Sequence, residues 1–128
     1  MTNVGTIINN SATVVAQAGA DIANGPFTAV AYKDGAFVGA DGTLIPFGIT
    51  IAETDDTVAK GEDVTVQVKD ISKWKAGGDF VAGDFLTADA NGAAVKATAG
   101  KFILAVALEN GAAGQVVNVQ IVKAGFAA

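Results

Sequence analysis

Five carboxylates crowd one stretch of the chain: Glu53, Asp55 and Asp56, then Glu62 and Asp63. Carboxylates beside a turn can hold calcium, and a pair of them can hydrolyse a glycosidic bond. Neither pattern is complete here. A calcium loop needs a twelve-residue register with a central Gly and a terminal Glu, which this spacing lacks. Glycoside hydrolysis needs a cleft with aromatic sugar platforms, and beyond Phe the only aromatic residues are Tyr32 and Trp74. The cluster therefore reads as a solvated loop. The chain has neither His nor Cys, which removes the usual base near neutral pH, the soft metal ligands, and the Cys and His-dependent Ser nucleophiles. An enzyme would have to rely on carboxylates, Lys or Tyr32; no activity, metal or cofactor is expected.

Trp74 stands between Lys73 and Lys75 in "SKWKAGG", a segment that reads as a connecting loop. A lone Trp ringed by polar residues is either an exposed binding anchor or a cap on the open end of a β core. Both readings leave Lys73 and Lys75 free to meet an acidic patch on a partner. All 8 cationic residues are Lys and the formal charge is -5, a balance that argues against phosphate backbones and so against nucleic acid. No basic, apolar leader opens the chain, and no apolar run approaches the ~18 residues needed to span a bilayer. The whole chain is expected to be the mature protein, and its lack of Cys suits a reducing cytoplasm as the place of synthesis.

The elements that must position these residues are strands. The 26 Ala could suggest helix, but they sit among Val, Thr, Ile and Phe, with 16 Gly breaking any long helical run. In "EDVTVQVKDI" Val64, Val66 and Val68 take one face while Thr65, Gln67 and Lys69 take the other. In "KFILAVALE" both alternating sets are apolar, which predicts a strand covered on both faces. Further strands are expected at 27–32, 44–52, 84–88 and 116–122, punctuated by Asp34-Gly35, Asp41-Gly42, Asn91-Gly92 and Asn110-Gly111. Residues 11–23 form the one serious helix candidate, weakened by Gly19 and by Thr13-Val14-Val15. The fold class is thus all-β, a small β-sandwich or β-barrel.

The chain also resembles itself. Gly61 placed on Gly114 aligns "GEDVTVQV" with "GQVVNVQI"; "FVGAD" at 37–41 matches "FLTAD" at 85–89, and Gly25-Pro26-Phe27 matches Gly78-Asp79-Phe80. An internal pseudo-repeat is expected, two units packing to bury faces that neither could hide alone. Residues 1–24 have few large apolar side chains, so they are read as an extended N-terminal arm anchored by Val4, Ile7 and Ile8, ahead of a sandwich or barrel domain over 25–128.

The second half resembles the small cement or decoration proteins of tailed-bacteriophage capsids. The elements that carry the resemblance are Gly83-Asp84, the turn Ala88-Asp89-Ala90-Asn91-Gly92, the strand Phe102 through Glu109, and Gly114 through Val122, with "GEDVTVQVKDISKWKAGG" before them. It covers roughly residues 47–123. It implies a viral structural protein on the outer surface of the virion head, stabilising contacts between capsomers. It further implies the major capsid protein as partner and self-association, with a homotrimer favoured over a dimer. On that reading Val4, Ile7, Ile8, Lys73, Trp74, Lys75 and Phe126 are the candidate contacts to the capsid or to a neighbouring subunit. A glycan-binding head or adhesin-type β-sandwich domain, with Trp74 and Tyr32 as platform, is the alternative.

Overall fold

Alternating β-branched residues and glycine turns produce ten strands over the described residues, 11–128 of a computed structural model. They are β1 (Thr13–Gln17), β2 (Ala29–Lys33), β3 (Ala36–Gly39), β4 (Pro46–Thr50), β5 (Asp63–Gln67), β6 (Asp70–Lys75), β7 (Phe85–Ala88), β8 (Ala94–Lys96), β9 (Phe102–Ala107) and β10 (Val116–Phe126). They form two five-stranded antiparallel sheets, ordered β1-β5-β4-β2-β3 and β6-β10-β9-β7-β8, that make a sandwich. A parallel bridge, Ala18↔Phe37, joins the end of β1 to β3, and Ala76↔Ala94 does the same between β6 and β8. Each sheet therefore curls until its two outer strands meet.

The second sheet repeats the first, strand for strand, five elements later. The pairs Ala16↔Val64 and Val15↔Thr65 have their counterparts in Trp74↔Val117 and Lys73↔Asn118. Gly61 and Gly114 both adopt positive φ, and their N–H groups donate to the equivalent carbonyls of Ala18 and Ala76. The register expected from Gly61 and Gly114 is thus the structural one, whereas the other two sequence matches are corrected. Sheet order equates β3 with β8, not with β7, so Phe37 corresponds to Ala94. Phe80, whose N–H donates to Gly111, corresponds to Ile22, whose N–H donates to Val58. The first of those matches reflects the common chemistry of a strand running into an Asp turn, which recurs wherever a hairpin closes; the second is a shared Gly-x-Phe spacing alone.

Two further expectations change. Residues 11–24 are neither arm nor helix: β1 pairs with β5 through five registered residues, and Ile22 is buried beside Val58. Val14 and Ala16 pack inward around Phe37, where small side chains suffice in so tightly curled a sheet. Val4, Ile7 and Ile8 lie outside the described residues. The segment containing Trp74 is a strand, not a loop. Asp70, at φ 67, opens β6 after only Val68 and Lys69, so one continuous-looking run holds two strands that belong to different sheets.

Alternation divides the interior. In β2, Val30 joins a cluster with Ile22, Phe37, Val64 and Val66 inside the first sheet. Its neighbour Ala29, with Ile49, joins the larger cluster built from the second half, around Trp74, Leu86, Leu104, Val117 and Val119. The first sheet is therefore buried on both faces where the halves meet.

Candidate functional site

Trp74 is 0 % exposed. Its Nε1–H donates to the Gly92 carbonyl at 2.9 Å, and the Ala29 N–H donates to the same oxygen at 2.9 Å. One turn carbonyl thus ties β6 to β2 across the two halves, with Lys75 N–H donating to Phe27 as a second tie. Trp74 is a core residue. That corrects its place among the surface contacts and removes the Trp74 and Tyr32 platform that a glycan-binding head would use; Tyr32 instead packs against Phe37 and Phe47 at 5.4 Å.

The strand that buries Trp74 turns its alternate residues outward. Ile71, Lys73 and Lys75 share one face, opposite Gln120, Asn118 and Val116 of β10. Lys73 Nζ donates to Asn118 Oδ1 at 3.1 Å. The registered row continues from Gln120 to Val106 and from Val106 to Phe85. Ile71 is 62 % exposed and Phe85 52 %, and Val116 and Val122 are exposed as well. Apolar side chains and two lysines therefore stand together on an open sheet face, a composition that favours macromolecular contact.

Phe126 belongs to a separate corner. Past a register shift between Ile121 and Gly125, β10 runs on beside the start of β9, where the Phe126 and Phe102 rings meet edge to face at 5.5 Å. These rings line a cleft of about 150 Å³ with Leu44, Ile45, Pro46 and Thr87. Nearby, Lys123 Nζ lies 4.4 Å over the Phe47 ring, and burial lowers the Lys123 pKa. The five carboxylates of the acidic stretch are exposed. Among the described residues, no group of three or more acidic side chains converges on a position for a metal ion.

Sequence reasoning missed Ile71, Phe85, Val106 and Gln120 as surface neighbours because the row exists only once β6, β10, β9 and β7 are side by side. One signal was available: "AGADI" at 18–22 against "AGGDF" at 76–80 would have set the true repeat and made β6 the counterpart of β1.

A curled β-sandwich with an apolar, lysine-bearing outer face and its one Trp spent on the core is built for attachment, as a structural binding module. The chain belongs to the phage cement protein family, whose model matches residues 6–122. It is thus a structural protein of the phage head surface and not an enzyme. Its fold is similar to the crystal structure of the head fiber gp8.5 N base in bacteriophage phi29, at 23% identity and a TM-score of 0.69 over 91% of this chain and 98% of that one. No curated protein matches the sequence.

Proposed function

We propose that this cement protein acts as a closed trimer seated at local threefold positions of the outer shell, where it ties neighbouring capsomers together against the pressure of packaged DNA. Family membership over residues 6–122 carries the reading. Cement of this kind needs no reactive group: several modest contacts on one oligomer make each later contact intramolecular and multiply the affinity. Closed symmetry is the norm for such assemblies.

The partner is the major capsid protein, and Phe126 with Phe102 and Ile45 forms the corner that meets it. Phe126 is 62 % exposed at the end of a long strand, so it can enter a pocket on the shell without unfolding its own sheet. Val4, Ile7 and Ile8 are proposed as further anchors on the shell or on a neighbour. Lys73 and Lys75 belong to the second contact surface.

The test is co-sedimentation with expanded, empty shells, with light scattering of the free protein alongside. A stable mass of three chains and saturable binding that Phe126→Ser weakens by tenfold or more are the expected results. A strict monomer at every concentration would overturn the trimer, and unchanged binding by Phe126→Ser would remove that corner from the shell contact.

A further inference from the structure

The internal repeat gives the open sheet face a built-in comparison. The row Phe85, Val106, Gln120, Ile71 runs across β7, β9, β10 and β6. The row at the same registers in the first half is Ala29, Ile49, Gln67, Thr13, across β2, β4, β5 and β1. In the first half this row is an interface. Ala29 and Ile49 are fully buried in the cluster built from the second half, and the Gln67 amide donates to the Ile71 carbonyl at 2.7 Å. In the second half Gln120 recurs at the same place, but Ala29 is replaced by the larger, half-exposed Phe85, and Ile71 stands where Thr13 was. The position that the fold uses for contact between halves is thus more apolar on the second sheet, and Phe85 and Ile71 at its two ends stay more than half exposed.

Charge says what fits there. Residues 1–68 hold 8 of the 13 acids and only 2 of the 8 lysines, while residues 69–128 hold the other 5 acids and 6 lysines, a formal -6 against +1. Lys73 and Lys75 flank the open row on β6. On the first half, exposed Glu53, Asp55, Glu62 and Asp63 surround a cleft that Ile51 and Val58 also line. One half of the chain therefore offers lysines around apolar side chains, and the other offers carboxylates around apolar side chains.

We infer that the outer face of the second sheet is the subunit contact of this protein, and that its occupant is the acidic first half of a second copy. Two different surfaces meet in such a contact, which is what a threefold ring requires of each interface. Electrostatic steering between the unlike halves sets the register, and the row from Phe85 to Ile71 supplies the desolvated centre. The inference rests on the proposed self-association and names the surface that produces it.

The test is a charge-reversal pair. One variant carries Lys73→Glu and Lys75→Glu, the other Glu53→Lys and Asp55→Lys; all four positions are exposed, so both should fold, and unchanged Trp74 fluorescence confirms it. Each variant alone is expected to lose at least tenfold in self-association by sedimentation, and an equimolar mixture is expected to recover a two-chain species. Failure of the mixture to associate would overturn the assignment, as would self-association of either variant at wild-type strength. Shell binding is read separately. A lysine variant that keeps its oligomeric mass but leaves the shell would assign this face to the capsid and overturn the inference, while leaving the cement function standing.

Discussion

Three residues decide more than their size suggests. Gly92 sits at φ 76, and a Cβ there would meet Thr28 Cγ2 at 2.6 Å and the Ala29 carbonyl at 2.8 Å, while its own carbonyl holds Trp74 and Ala29 together. Gly92→Ala should therefore cost about 3 kcal/mol, measured by urea unfolding, since the left-handed conformation and the clash add. Trp74→Phe keeps most of the packing but loses the indole donor, and about 1–2 kcal/mol is expected because the Ala29 bond still satisfies the oxygen. Wild-type Trp74 should emit blue-shifted fluorescence and resist acrylamide; a red-shifted, readily quenched spectrum would contradict its burial. Asp41 makes a different prediction. The Thr43 hydroxyl, then the Thr43 and Leu44 amides, donate to its carboxylate and hold its pKa down to about 2, against a usual 3.8. A depressed carboxylate contributes stability that is complete above 3.8 and lost as pH falls through 2. Thr43→Val should move the Asp41 carboxyl resonance in an NMR pH titration back toward the usual range. The Asp41-Gly42 and Asn91-Gly92 turns were legible as pairs of residue types. That Gly92 also fastens one half to the other was not, because its partners are 18 and 63 residues away.

At the scale of elements, legibility followed side-chain size. The strands β5, β9 and β10 announced themselves through alternating Val, Ile and Leu, and β9 is covered on both faces at Leu104 and Ala105, while Val106 beside them is only half-buried in the outer row. β1 and β6 were misread for opposite reasons. Short β1, with Val14, Val15 and Ala16 as its apolar side chains, lacks bulk where its sheet curls tightly around Phe37. β6 alternates Ile71, Lys73 and Lys75 outward with Ser72 and Trp74 inward, but two lysines beside the Trp imitate a polar loop. The end of β10 carries a consequence of its own. Beyond the shift at Ile121, its last residues pair with β9, Ala127 exchanges backbone hydrogen bonds with Gly100 and Lys101, and Lys123 covers Phe47 of the first half. Deleting residues 123–128 should therefore cost about 2–3 kcal/mol, from one cation–π contact and the exposure of Phe102 and Phe47. A thermal melt lowered by several degrees would bear this out; an unchanged melt would mean the extension is held by its sheet without supporting it.

For the whole molecule, the two halves share one topology but not one energy landscape. The first-half cluster is self-contained, whereas the second-half cluster includes Ala29, Ala40 and Ile49 from the first. A fragment of residues 69–128 would expose the inner face that these three residues and the Gly92 clasp cover, so it should not fold alone even though it holds five complete strands. The intact chain should instead unfold in one transition. Trp74 fluorescence reports the second half and the Phe37 ring resonances report the first, and their urea midpoints are expected to coincide. Separated midpoints, with the first half melting independently, would show that the shared burial at Ala29 and Ile49 does not couple the halves. Coupling matters for cement because load enters at one surface and leaves at another. On the contacts proposed above, a tensile load passing from Phe126 on the second half to the acidic cleft of the first half crosses the junction between them, and a junction of buried apolar side chains and paired carbonyls yields only when the whole sandwich does.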